Sequence, residues 1–166
     1  MIYTLDEKLE RMGEKVRNAC HKKRLQGSTI LYLLCDKPII SGGKERSGKA
    51  QRPGALLRFA CSKAFEMDPD FIVTVVEPWW EGASDAERQA LLDHELTHCE
   101  VKLMKDGGTP RLCIRGHDVE EFDEVLRRRG AWHGGLRQIQ ATMAQLPIPF
   151  EKPASEGGAS DEAAAV

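Results

Sequence analysis

The chain holds five cysteines, Cys20, Cys35, Cys61, Cys99 and Cys113, and no two form a C-x-x-C pair. An odd number without that pairing argues against a disulfide framework and against a separate zinc ribbon. Reduced, mostly buried thiols in a cytosolic protein are the simpler expectation. No run of about 18 apolar residues occurs, so no membrane span is expected. Residues 1–10 are charged and helix-like, unlike the basic start and apolar stretch of a signal peptide. The glycine-rich basic stretch 41–49 lacks phosphate-loop spacing, because Lys49 is followed by Ala50 where that loop needs Ser or Thr. No internal repeat is present.

What remains is an ordinary soluble composition in 166 residues with a net charge of −2, the size of one domain with a real core. The charge is unevenly spread. Residues 1–65 carry 14 Lys and Arg against 6 Asp and Glu, and residues 66–166 carry 10 against 20. The basic half either faces an anionic partner or is neutralised by the acidic half within one fold.

Hydrophobic period supplies the elements. Residues 4–25 read as a helix, with Thr4-Leu5-Asp6-Glu7 as capping box and Leu5, Leu9, Met12, Val16 and Ala19 or Cys20 as its apolar stripe. Residues 28–35 and 71–76 read as buried strands, and 41–49 as a flexible basic loop. Residues 53–64 fit either a strand and turn or a short helix. Trp79-Trp80 follows the second strand, as core packing or as cleft lining. Further on, a short strand at 111–114, a helix from 116 to about 129 and a last helix at 136–146 are expected. From Pro147 onward Pro, Gly, Ala, Ser and acidic residues dominate, and 147–166 reads as a disordered tail.

The chemistry lies in His94-Glu95-Leu96-Thr97-His98. On a helix, residues four apart share a face, so His94 and His98 can hold one zinc ion. Glu95, rotated by about 100°, can reach an activated water without being a ligand, as general base. The helical context is present. Ser84-Asp85-Ala86-Glu87 is a capping box, apolar residues recur at helical spacing through Val101 and Leu103, and Gly107-Gly108 and Pro110 end the run. The plainer alternative is a pair of core histidines. A catalytic zinc site needs a third protein ligand. His117, after a turn that folds back onto the helix, is the first candidate. Glu121 is the alternative, since His₂Glu sites exist. Glu120 and His133 are further candidates.

His94-Glu95-Leu96-Thr97-His98 followed by Gly116-His117-Asp118-Val119-Glu120-Glu121-Phe122 resembles the SprT-like zinc metallopeptidases, in which a G-H-x-x-x-F segment supplies the third ligand. One more residue precedes the phenylalanine here, so Glu121 stays open beside His117. Asp93-His94-Glu95-Leu96-x-His98-Cys99, His117 to Phe122 and Trp79-Trp80 are similar to the phage metallopeptidases. The resemblance implies an α+β zincin-like single domain over residues 1–146: a small mixed sheet packed with helices, and an edge strand beside the cleft, here assigned to 71–76. It implies a zinc-dependent (Zn2+) peptidase acting on a protein or peptide substrate, with Glu95 as base. A cytoplasmic location is expected, and Asp118, Glu120 or Glu121 is expected to orient a ligand histidine. Two alternatives accompany it. One is a protease of DNA-associated proteins that uses the basic N-terminal half, with Lys22, Lys23 and Arg24. The other is a catalytically silent zinc-binding module.

Overall fold

The two most apolar stretches form the centre of the sheet. In the computed structural model, which describes residues 1–104, 107–118, 123–132 and 134–145 (backbone only at 123 and 124), β2 (Ile30–Cys35) and β6 (Phe71–Val76) are buried at every position. They pair in parallel, from Ile30 opposite Phe71 to Cys35 opposite Val76. Strands without a polar face need cover on both sides, and both receive it. On one side α1 (Glu7–Val16) and α4 (Asp85–His98) bring Leu9, Val16, Leu92 and Leu96 against Tyr32, Leu34, Val73 and Val75. On the other, α2 (Ala55–Ala64) brings Cys61 against Leu31, Leu33 and Ile72. Residues 53–64 thus resolve in favour of a helix.

Two short strands complete a mixed sheet in the order β1-β2-β6-β5. β1 (Tyr3–Thr4) pairs antiparallel with β2, and β5 (Gly48–Gln51) antiparallel with β6. The edge assigned to residues 71–76 is therefore corrected, because β6 is paired on both sides and β5 forms the edge. The physical reason is composition: Phe71-Ile-Val-Thr-Val-Val76 is apolar but for Thr74 and buried throughout, whereas Gly48-Lys49-Ala50-Gln51 tolerates an open side. Residues 41–49 are likewise not a loop. β3 (Ile39–Ser41) and β4 (Lys44–Arg46) form a hairpin. Its two-residue turn needs positive φ at both central positions, which Gly42 and Gly43 supply at 59° and 73°.

The first helix also departs from expectation. Thr4 is paired with Leu34, so the cap falls to Asp6, whose carboxylate accepts from the Leu9 N–H at 2.7 Å. After Val16 the helix widens into a π-helical turn over Arg17–His21. One inserted residue rotates the succeeding side chains by roughly 100°. Ala19 and Cys20 are therefore turned outward, and His21, then Leu25, are buried in their stead. Trp79 and Trp80 lie on α3 (Glu77–Gly82). Trp80 is 4% exposed within the core and carries the Arg88 guanidinium over its ring at 5.1 Å, so core packing is its role. Cys35, Cys61 and Cys99 are buried free thiols, whereas Cys20 is exposed.

The chain divides into two compact units, Met1–His117 and Asp118–Val166. In the first, β7 (Cys99–Lys102) and β8 (Arg111–Ile114) form a separate antiparallel hairpin. In the second, α5 (Asp123–Arg129) closes with the Gly130 N–H donating to the Leu126 carbonyl, and α6 (Gly134–Gln145) comes next. Residues 116–118, expected to open a helix, are not helical. The expected tail, 147–166, lies outside the described residues.

Candidate metal centre

The start of α4 follows its sequence. The Ser84 N–H donates to Glu87 Oε2 at 2.8 Å and the Glu87 N–H to Ser84 Oγ at 3.3 Å, a complete capping box. Its end does not. The helix stops at His98, not near residue 106, and Cys99 turns to extended backbone. Carbonyls at a helix end need outside donors, and these are present. The Arg24 guanidinium donates to the Leu96 carbonyl at 3.1 Å, and the Arg115 N–H to the His98 carbonyl at 2.7 Å. The residues expected to prolong the apolar stripe form β7 instead, and Leu103 is exposed.

This early stop brings the histidines together. From His98 the chain goes out along β7 and returns along β8, with Lys102 opposite Arg111 and Cys99 opposite Ile114. His117 thereby reaches the helix. Its Nε2 lies 3.2 Å from His94 Nε2, which lies 3.3 Å from His98 Nε2. The ligand atoms of the three all fall within 4.8 Å of one another. Three imidazole nitrogens bound at 2.0–2.1 Å around one tetrahedral ion stand about 3.3 Å apart, so the donor set and spacing fit a metal.

The tautomers fit as well. His98 Nδ1 lies 2.6 Å from the Arg115 carbonyl oxygen. A carbonyl only accepts, so Nδ1 carries the proton and the Nε2 lone pair is left for an ion. Burial, then the proximity of His98 and His117, lowers the pKa of His94, which favours the neutral, ligating form.

Glu95, one residue along the helix, is 5% exposed. Burial pushes its carboxyl above the ordinary range, against the opposing pull of His98 and of an N–H donated by Ala50 of β5. Gly48 passes so close that an added Cβ would stand 3.0 Å from Glu95 Oε1. The Ser47 carbonyl accepts from the Val76 N–H at 2.8 Å. By strand alternation Gly48, Ala50 and Arg52 then turn their backbone groups to the open edge, where the Ala50 N–H goes to Glu95. Sequence reasoning missed this neighbour, for which a short Gly-Lys-Ala-Gln stretch offers no signal.

Behind α4 a second group goes unannounced by any motif. The Arg24 guanidinium lies 2.6 Å from Nδ1 of the buried His21, and His21 Nε2 lies 2.6 Å from Asp93 Oδ1. Arg24 can only donate, so His21 donates from Nε2 to Asp93, the residue before His94. Arg24 is thus engaged internally. Arg17 also bonds the Leu25 and Ser28 carbonyls, and Arg58 pairs with Asp68. These three arginines of the basic N-terminal half are therefore engaged within the chain, whereas Lys22 and Lys23 are exposed. Of the other site candidates, Glu120, Glu121 and His133 lie outside the described residues.

No curated protein and no solved structure matches the chain. A family model described as "Putative phage metallopeptidase" matches residues 1–146, most of the chain, and the protein belongs to that family.

Proposed function

We propose that residues 1–146 form a zincin-like domain that hydrolyses peptide bonds in a protein or peptide substrate, with zinc held by His94, His98 and His117. One observation carries this reading: imidazole nitrogens of His94, His98 and His117 converge beside the buried carboxylate of Glu95. When bound, zinc polarises the scissile carbonyl and lowers the pKa of a nearby water to about 7. Glu95 takes that water's proton as the oxygen attacks, then returns it to the leaving amine. Burial raises its pKa, which makes the carboxylate a stronger acceptor for that proton. The edge of β5, beyond the Ala50 N–H that goes to Glu95, takes the place expected of residues 71–76, where an extended peptide adds as a further strand.

The test is Glu95→Gln. Zinc content and fold should persist while cleavage of unfolded casein falls by about 10²–10⁴-fold, the usual contribution of a general base. Undiminished turnover would sink the mechanism. His117→Ala should lose zinc where Glu121→Ala keeps it, and the opposite pattern would make Glu121 the third ligand. Arg17, Arg24 and Arg58 lend no support to a DNA-associated substrate, since each is tied to partners within the chain.

A further inference from the structure

Beyond the Glu95 contact, β5 runs into a cavity whose chemistry differs from that of the metal cleft. It encloses about 840 Å³, and its wall includes Arg52, Arg58 and Arg111 against one carboxylate, Asp70. Asp70 is engaged, accepting from the Thr29 N–H at 2.9 Å. Arg58 is engaged too, donating twice to Asp68. Arg52 and Arg111 are exposed, and among the described residues no carboxylate pairs with either. Arg52 donates to the Leu112 carbonyl at 3.0 Å, which holds its guanidinium beside β8 and close in sequence to Arg111.

The strand direction links this cavity to the chemistry. Ala50 touches Glu95, and Arg52 lies two residues on, about 6.6 Å further along an extended chain. A peptide added antiparallel to β5 runs the opposite way, so its residues near Arg52 precede those near Glu95. We propose that the Arg52–Arg111 cavity is an acid-selecting subsite, binding an Asp or Glu side chain about two to four residues N-terminal to the scissile bond. This rests on the peptidase reading for its substrate class. A nucleic-acid phosphate would satisfy the same guanidinium groups. Among the described residues, however, no aromatic ring lines the cavity, and stacking rings are what single strands use.

Binding tests this separately from hydrolysis. Two fluorescein-labelled nine-residue peptides, one with Glu-Glu and one with Gln-Gln in the N-terminal half, are titrated into zinc-loaded Glu95→Gln protein and followed by anisotropy. The acidic peptide should bind about tenfold more tightly at low salt. Arg52→Gln and, independently, Arg111→Glu should erase the difference while leaving the Gln-Gln peptide unchanged. Arg111 makes no ion pair among the described residues, so its variant spares the fold. Equal affinities, a preference that survives both variants, binding of neither peptide, or displacement by short oligo-dT at lower concentration than by the acidic peptide would overturn the subsite. Casein hydrolysis by the wild-type protein decides the peptidase reading whatever these titrations show.

Discussion

At the scale of single residues the decisive contact is the one between Gly48 and Glu95. An alanine Cβ at position 48 would lie 3.0 Å from Oε1, 3.2 Å from Cγ and 3.3 Å from Cδ of the carboxylate. The backbone there is not in the left-handed region, so alanine is conformationally acceptable and the side chain of Glu95 must give way. Displacement of a reacting group by about 1 Å can cost on the order of 10²-fold in rate. Gly48→Ala should therefore lower kcat by at least about tenfold, with zinc content and melting temperature nearly unchanged. Glu95 also bears on stability. Burial raises its pKa, so the folded chain holds the proton more tightly than the unfolded one. The wild type then loses stability as pH rises from the unfolded value, about 4.3, through the raised folded value. In chelator-treated protein, Glu95→Gln should melt higher than wild type at neutral pH, and the gap should close toward pH 4. A constant gap across that range would contradict the burial argument. His94, Glu95 and His98 are legible in the sequence because helix periodicity alone puts them together. Gly48 and Ala50 are not, because they meet Glu95 only through the register of β5 on β6.

Elements show why some patterns read correctly and others fail. The Leu9 and Val16 stripe of α1 is legible, as is the Ser84 capping box. The π-helical turn is not, since Arg17-Asn-Ala-Cys-His21 differs in no obvious way from an ordinary last turn; the gain that favours it is tertiary, the burial of His21 against Asp93. The end of α4 fails similarly, because donors from Arg24 and Arg115 overrule a helical pattern that runs on through Leu103. The α1–β2 contact gives an element-scale test. A Cβ at Gly13 would stand 2.4 Å from the ring of Tyr32, which is 3% exposed and donates to Glu14 Oε1 at 3.2 Å. Alanine would gain about 1 kcal/mol of helix propensity, but overpacking a closed contact costs about 1–3 kcal/mol or more. Because the ring is buried and hydrogen-bonded, overpacking should win. Gly13→Ala should lower Tm by several degrees, and Tyr32→Leu in the same chain should recover part of the loss. A Gly13→Ala protein that melts higher than wild type would show that α1 can lift off the sheet freely.

For the molecule as a whole, the candidate site joins segments that the chain connects only through a hairpin. His94 and His98 ride on α4, which is packed into the main core by Leu92 and Leu96. His117 sits beyond β8 at the end of the first compact unit and is held to α4 through the paired Arg115–His98 backbone and side-chain bonds. The spacing from His98 to His117 made a return legible, but not its form, because β7 is written in residues that also suit a helix. A metal bound by all three histidines adds its binding free energy to the docking of that hairpin. Free zinc at about 100 times its dissociation constant would stabilise the folded state by about 2.7 kcal/mol. For a chain of this length that corresponds to roughly 5–10 °C in Tm. Chelation should therefore lower Tm by about that amount, with faster amide exchange concentrated in residues 111–117 and little change in β2 and β6. In His117→Ala the chelator should move neither quantity, because the hairpin is no longer tied to α4 through an ion. If chelation destabilised His117→Ala as much as wild type, the metal would be held by a set that does not include His117, and the hairpin would owe its position to its protein contacts, the Arg115–His98 and Arg52–Leu112 bonds among them.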